Sequence, residues 1–258
     1  MLQIRNLTID YRARHGAAIR AVEDLTFDLA EGEVVGVLGP SGCGKTTLAR
    51  AVLRVLPAGA IVVEGCILLE GMDILRAGAQ TLQQIRGAQV AIVFQEPALA
   101  LNPVMRVSEQ VAEVVRAHRD ATRSECMHQA AEALSAVQLR EKRLQSAYPH
   151  ELSAGQRQRV VLAQALVCKP RLLIADEPTS SLDSTTQSEI LNLLAQLKSQ
   201  FKLSILLITH NPALLTGLAE RALIMRYGRI VEQGALPDLG LHPNHPYARE
   251  LFQSIQRC

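Results

Sequence analysis

Residues 39–47 read GPSGCGKTT, between an apolar run, EVVGVLG (33–39), and a segment, LARAVLRVL (48–56), whose leucines and valines recur at helical spacing. The stretch satisfies G-x-x-x-x-G-K-[ST] with Gly39, Gly44, Lys45 and Thr46, in the strand-before, helix-after context that the pattern requires. Glycines let successive backbone N–H groups point into one concavity, and the helix that follows adds the positive end of its dipole. Such a loop cradles phosphates. Lys45 is expected to reach the β- and γ-phosphates of a nucleotide and the Thr46 hydroxyl to hold magnesium, with Pro40, Ser41, Gly42 and Cys43 completing the loop. Backbone amides, helix end and Lys45 together are expected to favour a thiolate at Cys43.

Working outward, short runs that are apolar throughout occur at Val34–Leu38, Val90–Phe94, Leu172–Ala175 and Ile205–Ile208. Runs of this kind suit parallel strands covered on both faces and predict an α/β fold. LTIDYR (7–12) and AVEDLTFDLAEGE (21–33) alternate instead, as an antiparallel sheet would, with a turn expected around His15 and Gly16. Between about 97 and 165 the chain becomes alanine-rich and helical. Ser108 precedes VAEVV as a helix start, and Thr122 with Glu125 forms a capping box ahead of MHQAAEALSAV. The expected organisation is one domain over 1–258, with a nucleotide-binding α/β core over 1–96 and 166–235, an inserted helical subdomain over 97–165 and a C-terminal element over 236–258.

Two further stretches carry chemistry. RLLIADEP (171–178) ends a buried strand in adjacent carboxylates, where ligands of open α/β sheets bind. Asp176 is expected to hold magnesium and Glu177 to act as general base on the attacking water. In LSAGQRQRV (152–160), Ser153 and Gln156 form a second capping box at a small, glycine-bearing helix start that contains Gly155. That start is a second anion site. One phosphate loop and one spare anion site in a single chain point to two ATP molecules shared by two subunits.

Composition narrows the alternatives. Lys plus Arg (27) nearly balance Asp plus Glu (25), and no run of like charges suggests a nucleic-acid partner. No stretch has the length of apolar residues of a signal peptide core or a membrane span, so a cytoplasmic chain is expected. Five cysteines (Cys43, Cys66, Cys126, Cys168, Cys258) without a CxxC pair argue against a disulfide framework or a zinc site. His242 and His245 in HPNHP, flanked by prolines and without further ligands, read as a turn.

Over essentially its whole length the chain resembles the nucleotide-binding subunit of an ATP-binding cassette (ABC) transporter. GPSGCGKTT resembles the Walker A loop, with Thr47 as a further phosphate-contacting hydroxyl, and LSAGQ the LSGGQ signature, with Ala154 where glycine is usual. RLLIADEP resembles the Walker B strand, SSLD ending at Asp183 the D-loop, and His210 in LLITHN the switch histidine near the γ-phosphate. The resemblance makes Tyr11 the aromatic that stacks on adenine, and Gln95 in VFQEP the Q-loop glutamine that touches magnesium and water. VFQEPALALNPVMRV, YPHELSAGQRQRV and the terminal HPNHPYARELFQSI resemble the peptide and nickel import branch. It implies a P-loop NTPase (RecA-like) core, ATP and Mg2+ as ligands, and a second ATPase subunit, identical or not. It also implies two transmembrane permeases, an extracytoplasmic solute-binding protein and a place on the cytoplasmic face of the inner membrane. An exporter ATPase and a non-transport ABC ATPase are the alternatives; the latter would carry coiled-coil insertions or tandem cassettes.

Overall fold

The computed structural model describes residues 1–12 and 18–253. The turn expected at His15 and Gly16, Cys258 and the end of the HPNHPYARELFQSI stretch lie outside the described residues. In chain order the strands and helices are β1 (Leu2–Tyr11), β2 (Ile19–Leu29), β3 (Val34–Leu38), α1 (Lys45–Val52), β4 (Ala60–Leu69), β5 (Met72–Asp73) and α2 (Ala79–Ile85). There follow β6 (Val90–Val93), α3 (Pro97–Ala100), α4 (Val107–His118), α5 (Arg123–Ala136), α6 (Lys142–Gln145), α7 (Ala154–Leu166), β7 (Leu172–Asp176) and α8 (Ser184–Phe201). The chain ends in β8 (Ser204–Thr209), β9 (Arg221–Arg226), β10 (Arg229–Ala235), α9 (Leu236–Leu241) and α10 (Pro246–Gln253).

The residues form two compact units, Met1–Leu82 with Ser204–Cys258, and Gln83–Leu203. In the first, β1 pairs antiparallel with β2, as the alternating pattern predicts, and on its other side with β4, and Leu2, Ile4, Leu7 and Ile9 of β1 are fully buried. β3 lies parallel between β8 and β9, and β10 returns antiparallel to β9. Every residue of β3 and β8 is buried, which explains why these strands read as unbroken apolar runs.

In the second unit, β6 and β7 pair in parallel in the register Val90↔Leu172 to Val93↔Ala175. α4 packs on α5, and α7 packs on α3, α4, α5 and β6. The Thr122–Glu125 capping box starts α5 as expected: the Thr122 hydroxyl accepts the Glu125 N–H, and the Glu125 carboxylate accepts the Thr122 N–H. Ser108 is not a helix start. α4 begins one residue earlier with Arg106 at its N-cap, and Ser108 is buried within the first turn. The local pattern misleads here because Val107 joins the apolar face of α4 ahead of the serine. Among the described residues no helix is long and apolar enough to cross a membrane.

Candidate nucleotide site

β3 delivers the chain to Gly39 with no freedom to spare. A Cβ at Gly39 would lie 2.4 Å from the Met225 carbonyl oxygen and 2.6 Å from Cys43 Sγ, so only hydrogen fits between the loop and the end of β9. Gly44 has φ of 106°, and a Cβ there would lie 2.3 Å from the Ala21 carbonyl oxygen. Backbone conformation and close approach therefore both demand glycine at that position. Pro40, Ser41, Gly42 and Thr46 are exposed, whereas Cys43, Gly44 and Lys45 are buried, giving an open rim over a packed floor.

Lys45 is only 5% exposed, and its Nζ donates to the Gly39 carbonyl at 2.8 Å and the Pro40 carbonyl at 2.9 Å. The cation is held by the loop it serves. α1 starts at Gly44, which supplies no side-chain cap, and the Leu48 N–H to Gly44 carbonyl bond opens the helical ladder. An uncapped helix start, a captive ammonium and two hydroxyls at Thr46 and Thr47 form a donor set that fits a polyphosphate. Burial raises the Cys43 thiol above its ordinary pKa, outweighing the nearby Lys45. The expected thiolate is thus overturned, because desolvation of the anion exceeds the attraction of one ammonium already bonded to carbonyls.

The same unit brings two more predicted residues to this loop. Tyr11, at the end of β1, places its hydroxyl 3.2 Å from Thr47 Oγ1. His210 follows β8, whose register pairs Thr209 with Leu38, so His210 and Gly39 leave adjacent parallel strands at the same level. Asn211 shapes the turn after it: its N–H donates to Thr209 Oγ1 at 3.1 Å, and its side chain accepts the Ala213 N–H at 3.0 Å.

The second unit positions the other set. β7 is buried along its length and ends at Asp176, which is 4% exposed. Glu177 follows with φ of 49°, a left-handed conformation that costs a non-glycine residue about 1–2 kcal/mol. The Ser180 N–H and hydroxyl both donate to the Glu177 carbonyl, at 3.3 and 3.2 Å, and hold this turn. Gln95 is exposed just beyond β6.

Ser153 caps α7 as its spacing predicts. Its hydroxyl accepts the Gln156 N–H at 3.2 Å, while the Gln156 side chain accepts the Ser153 N–H at 2.9 Å. Ala154 is exposed at the first helical position and has no positive φ, so its methyl meets no conformational objection. Gly155 is the constrained residue. A Cβ there would lie 2.6 Å from Thr186 Cγ2 in the first turn of α8. Thr186 is in turn bound to the α8 cap, Asp183, whose carboxylate accepts the Thr186 N–H at 3.0 Å and hydroxyl at 2.7 Å. These bonds hold the exposed Asp183 carboxyl below its usual pKa. Thr186, absent from the expected set, thereby links the helix start at Ser153 to the one at Asp183. A threonine three residues after a capping aspartate was the available signal.

A family model described as ABC transporter matches residues 22–180. The chain belongs to the ABC transporter family. Within it the chain is an ABC-type ATPase subunit with ATP as its nucleotide. It is 38% identical over 258 residues to the oligopeptide transport ATP-binding protein OppD of Haemophilus influenzae, an alignment covering 100% of this chain and 79% of that protein. OppD of Escherichia coli K12 is also 38% identical, with 100% and 76% covered. The glutathione import ATP-binding protein GsiA of the same strain is 39% identical, over 99% of this chain and 42% of GsiA. Among solved structures, the dimeric ATP-binding cassette MJ0796 in a post-hydrolysis state with ADP and Pi superposes with a TM-score of 0.80 at 28% identity. That match covers 92% of this chain and 99% of MJ0796.

Proposed function

We propose that this chain is the ATP-hydrolysing subunit of an importer for peptides or another small solute such as nickel, working through separate permeases. The observation that carries the reading is similarity over the whole of this chain to two oligopeptide transport ATP-binding proteins, of whose length it spans 79% and 76%. ATP lies along Gly39–Thr47, with Tyr11 against adenine and Lys45 exchanging its loop carbonyls for the β- and γ-phosphate oxygens. The oxygen donors of Thr46, Gln95 and Asp176 suit Mg2+. When bound, that ion offsets phosphate charge. Glu177 takes a proton from the attacking water, and His210 contacts the γ-phosphate. Ser153, Gly155 and Gln156 complete the ATP site of a second ATPase subunit, and Asp183 lies at that subunit interface. Ser153 suits this role because a hydroxyl that accepts the Gln156 N–H keeps its own hydrogen to donate.

In this reading the ATP-binding core comprises 1–96 and 166–235, the helical subdomain 97–165 and a C-terminal element 236–258. The assembly sits at the cytoplasmic face of the inner membrane and receives solute from an extracytoplasmic binding protein. The test is reconstitution of this chain with its permeases and partner ATPase in proteoliposomes. ATPase turnover is expected to rise when a peptide-loaded binding protein is added to the outside. Turnover that ignores the binding protein refutes import, and turnover stimulated by a solute presented at the ATPase side supports the exporter reading instead.

A further inference from the structure

The HPNHPY stretch near the C-terminus has no part in the site described above, yet it is tied to that site through a short chain of contacts within one unit. Glu232 of β10 accepts the backbone N–H of Asn244 at 2.8 Å and of His245 at 2.9 Å, which fixes the start of the stretch. His245 Nδ1 accepts the Tyr247 N–H at 3.1 Å, capping α10 where Pro246 brings no donor. Ala248 and Phe252 bury the inner face of α10. Tyr247, held from both directions, sets its ring 4.8 Å from the guanidinium carbon of Arg226, the last residue of β9. The same guanidinium lies 5.1 Å from the ring of Tyr227.

Arg226 stands between two points at which β9 and its turn meet the phosphate loop. On one side is the Met225 carbonyl, against which Gly39 packs too closely for any Cβ. On the other is Gly228, whose N–H donates to the Cys43 carbonyl at 3.1 Å and whose carbonyl accepts the Glu23 N–H at 2.9 Å. Tyr227 and Gly228 form the two-residue turn, with φ of 51° and 79°, the pattern of a tight hairpin of the type I′ kind. Gly39, packed in this way against Met225, also offers its carbonyl to Lys45 Nζ as an acceptor. Tyr247 is close enough to Cys43 that, after burial, this thiol is the next cause raising the phenol above its ordinary pKa.

We propose that Tyr247 is a positioning residue for the phosphate loop, acting through Arg226: the C-terminal element braces the β9–β10 turn on which Gly39 and Cys43 rest. The inference rests on reading Gly39–Thr47 as the ATP site. A half-buried guanidinium has many rotamers, and the Tyr247 ring, fixed by α10, restricts them more firmly than the exposed ring of Tyr227 at the residue joining the two contact points. Loosening that residue lets the Gly39 and Cys43 carbonyls drift and disorders the acceptors that hold Lys45.

The experiment is titration of the full-length chain with a fluorescent ATP analogue and Mg2+, beside a thermal melt of each variant. Tyr247→Leu keeps apolar bulk but removes the ring face, and is expected to weaken nucleotide affinity about three- to tenfold. Tyr247→Phe keeps the face and is expected to remain within about twofold of wild type. Arg226→Met, which also gives up the Tyr227 ring, is expected to lose at least as much as Tyr247→Leu, and the double variant no more than Arg226→Met, since the Tyr247 contact is already gone there. Unchanged affinity in Tyr247→Leu with only a lowered Tm overturns the proposal, as do additive losses. If Tyr247→Leu does not fold, wild-type affinity in Arg226→Met overturns it equally. A wild-type chain that binds no nucleotide would instead defeat the ATP-site reading itself.

Discussion

Three helix starts, proposed above to meet phosphate or the subunit interface, are built in two opposite ways. α1 begins at Gly44 with no side-chain cap, and glycines at 39 and 44 are imposed by neighbouring carbonyls. α7 and α8 begin at Ser153 and Asp183, each bonded to its own helix, and Gly155 is imposed by a side chain, Thr186. The first start leaves its N–H groups for a ligand. The other two satisfy part of that need internally, through Ser153 and Asp183. A self-capped helix keeps its shape when no partner is present, whereas an uncapped one gains most from binding.

The largest effect expected along this divide is at Glu177, which belongs to neither helix start. Glu177→Gln should cut kcat about 10²- to 10⁴-fold while leaving ATP affinity near wild type, because the phosphate loop is untouched. Steady-state ATPase assays of the reconstituted complex, paired with nucleotide titration, check this. Normal turnover would remove Glu177 from the role of base.

Gly155→Ala sharpens the contrast between backbone-imposed and side-chain-imposed glycines. It should destabilise the chain by about 1–3 kcal/mol in urea melts through overlap with Thr186. Adding Thr186→Ser removes the offending Cγ2, keeps the hydroxyl bonded to Asp183, and should restore most of the loss. A Gly44→Ala variant has no such second-site remedy, since its obstacle is the Ala21 carbonyl. If Thr186→Ser rescues nothing, the two glycines are alike and the contrast fails.

Protonation tests the internal caps. Asp183 has its carboxyl pKa lowered in the folded chain, so its contribution is present above the unfolded value and is lost as pH falls through the folded one. Acid melts below about pH 4 should therefore be steeper for wild type than for Asp183→Asn. Equal slopes would mean that the cap bonds are not populated.

The smallest effect is expected at Ala154, where the family signature usually has glycine. Because this residue is exposed, helical and free of positive φ, Ala154→Gly should change stability by under about 1 kcal/mol and leave ATPase activity within about twofold. A large gain in turnover would show that the methyl obstructs the partner's phosphate.

These cases also mark how much could be read from residues alone. The phosphate loop was legible because its spacing states a backbone need that few other structures share, and the fully buried strands were legible as unbroken apolar runs. Both capping boxes followed from residues three apart. What depended on distant pairs did not follow. Thr186 against Gly155 and Tyr11 against Thr47 are separated by 31 and 36 positions, and no local pattern records them. Cys43 failed for a related reason: its neighbours in sequence are electropositive, but its burial comes from elsewhere in the fold. Ser108 shows the reverse error, a good capping residue made interior by the apolar residue before it.

The pairing of Thr209 with Leu38 makes β8 a ruler for the histidine that follows it. Exchanging one branched apolar residue for another within Ser204–Thr209 leaves the length of that ruler unchanged. Inserting a single residue advances His210 by about 3.3 Å and turns its side chain to the opposite face of the sheet. Across descendants of this sequence, β8 should therefore drift freely in composition and hardly at all in length, and a frame-preserving insertion there would silence the site without unfolding the strand.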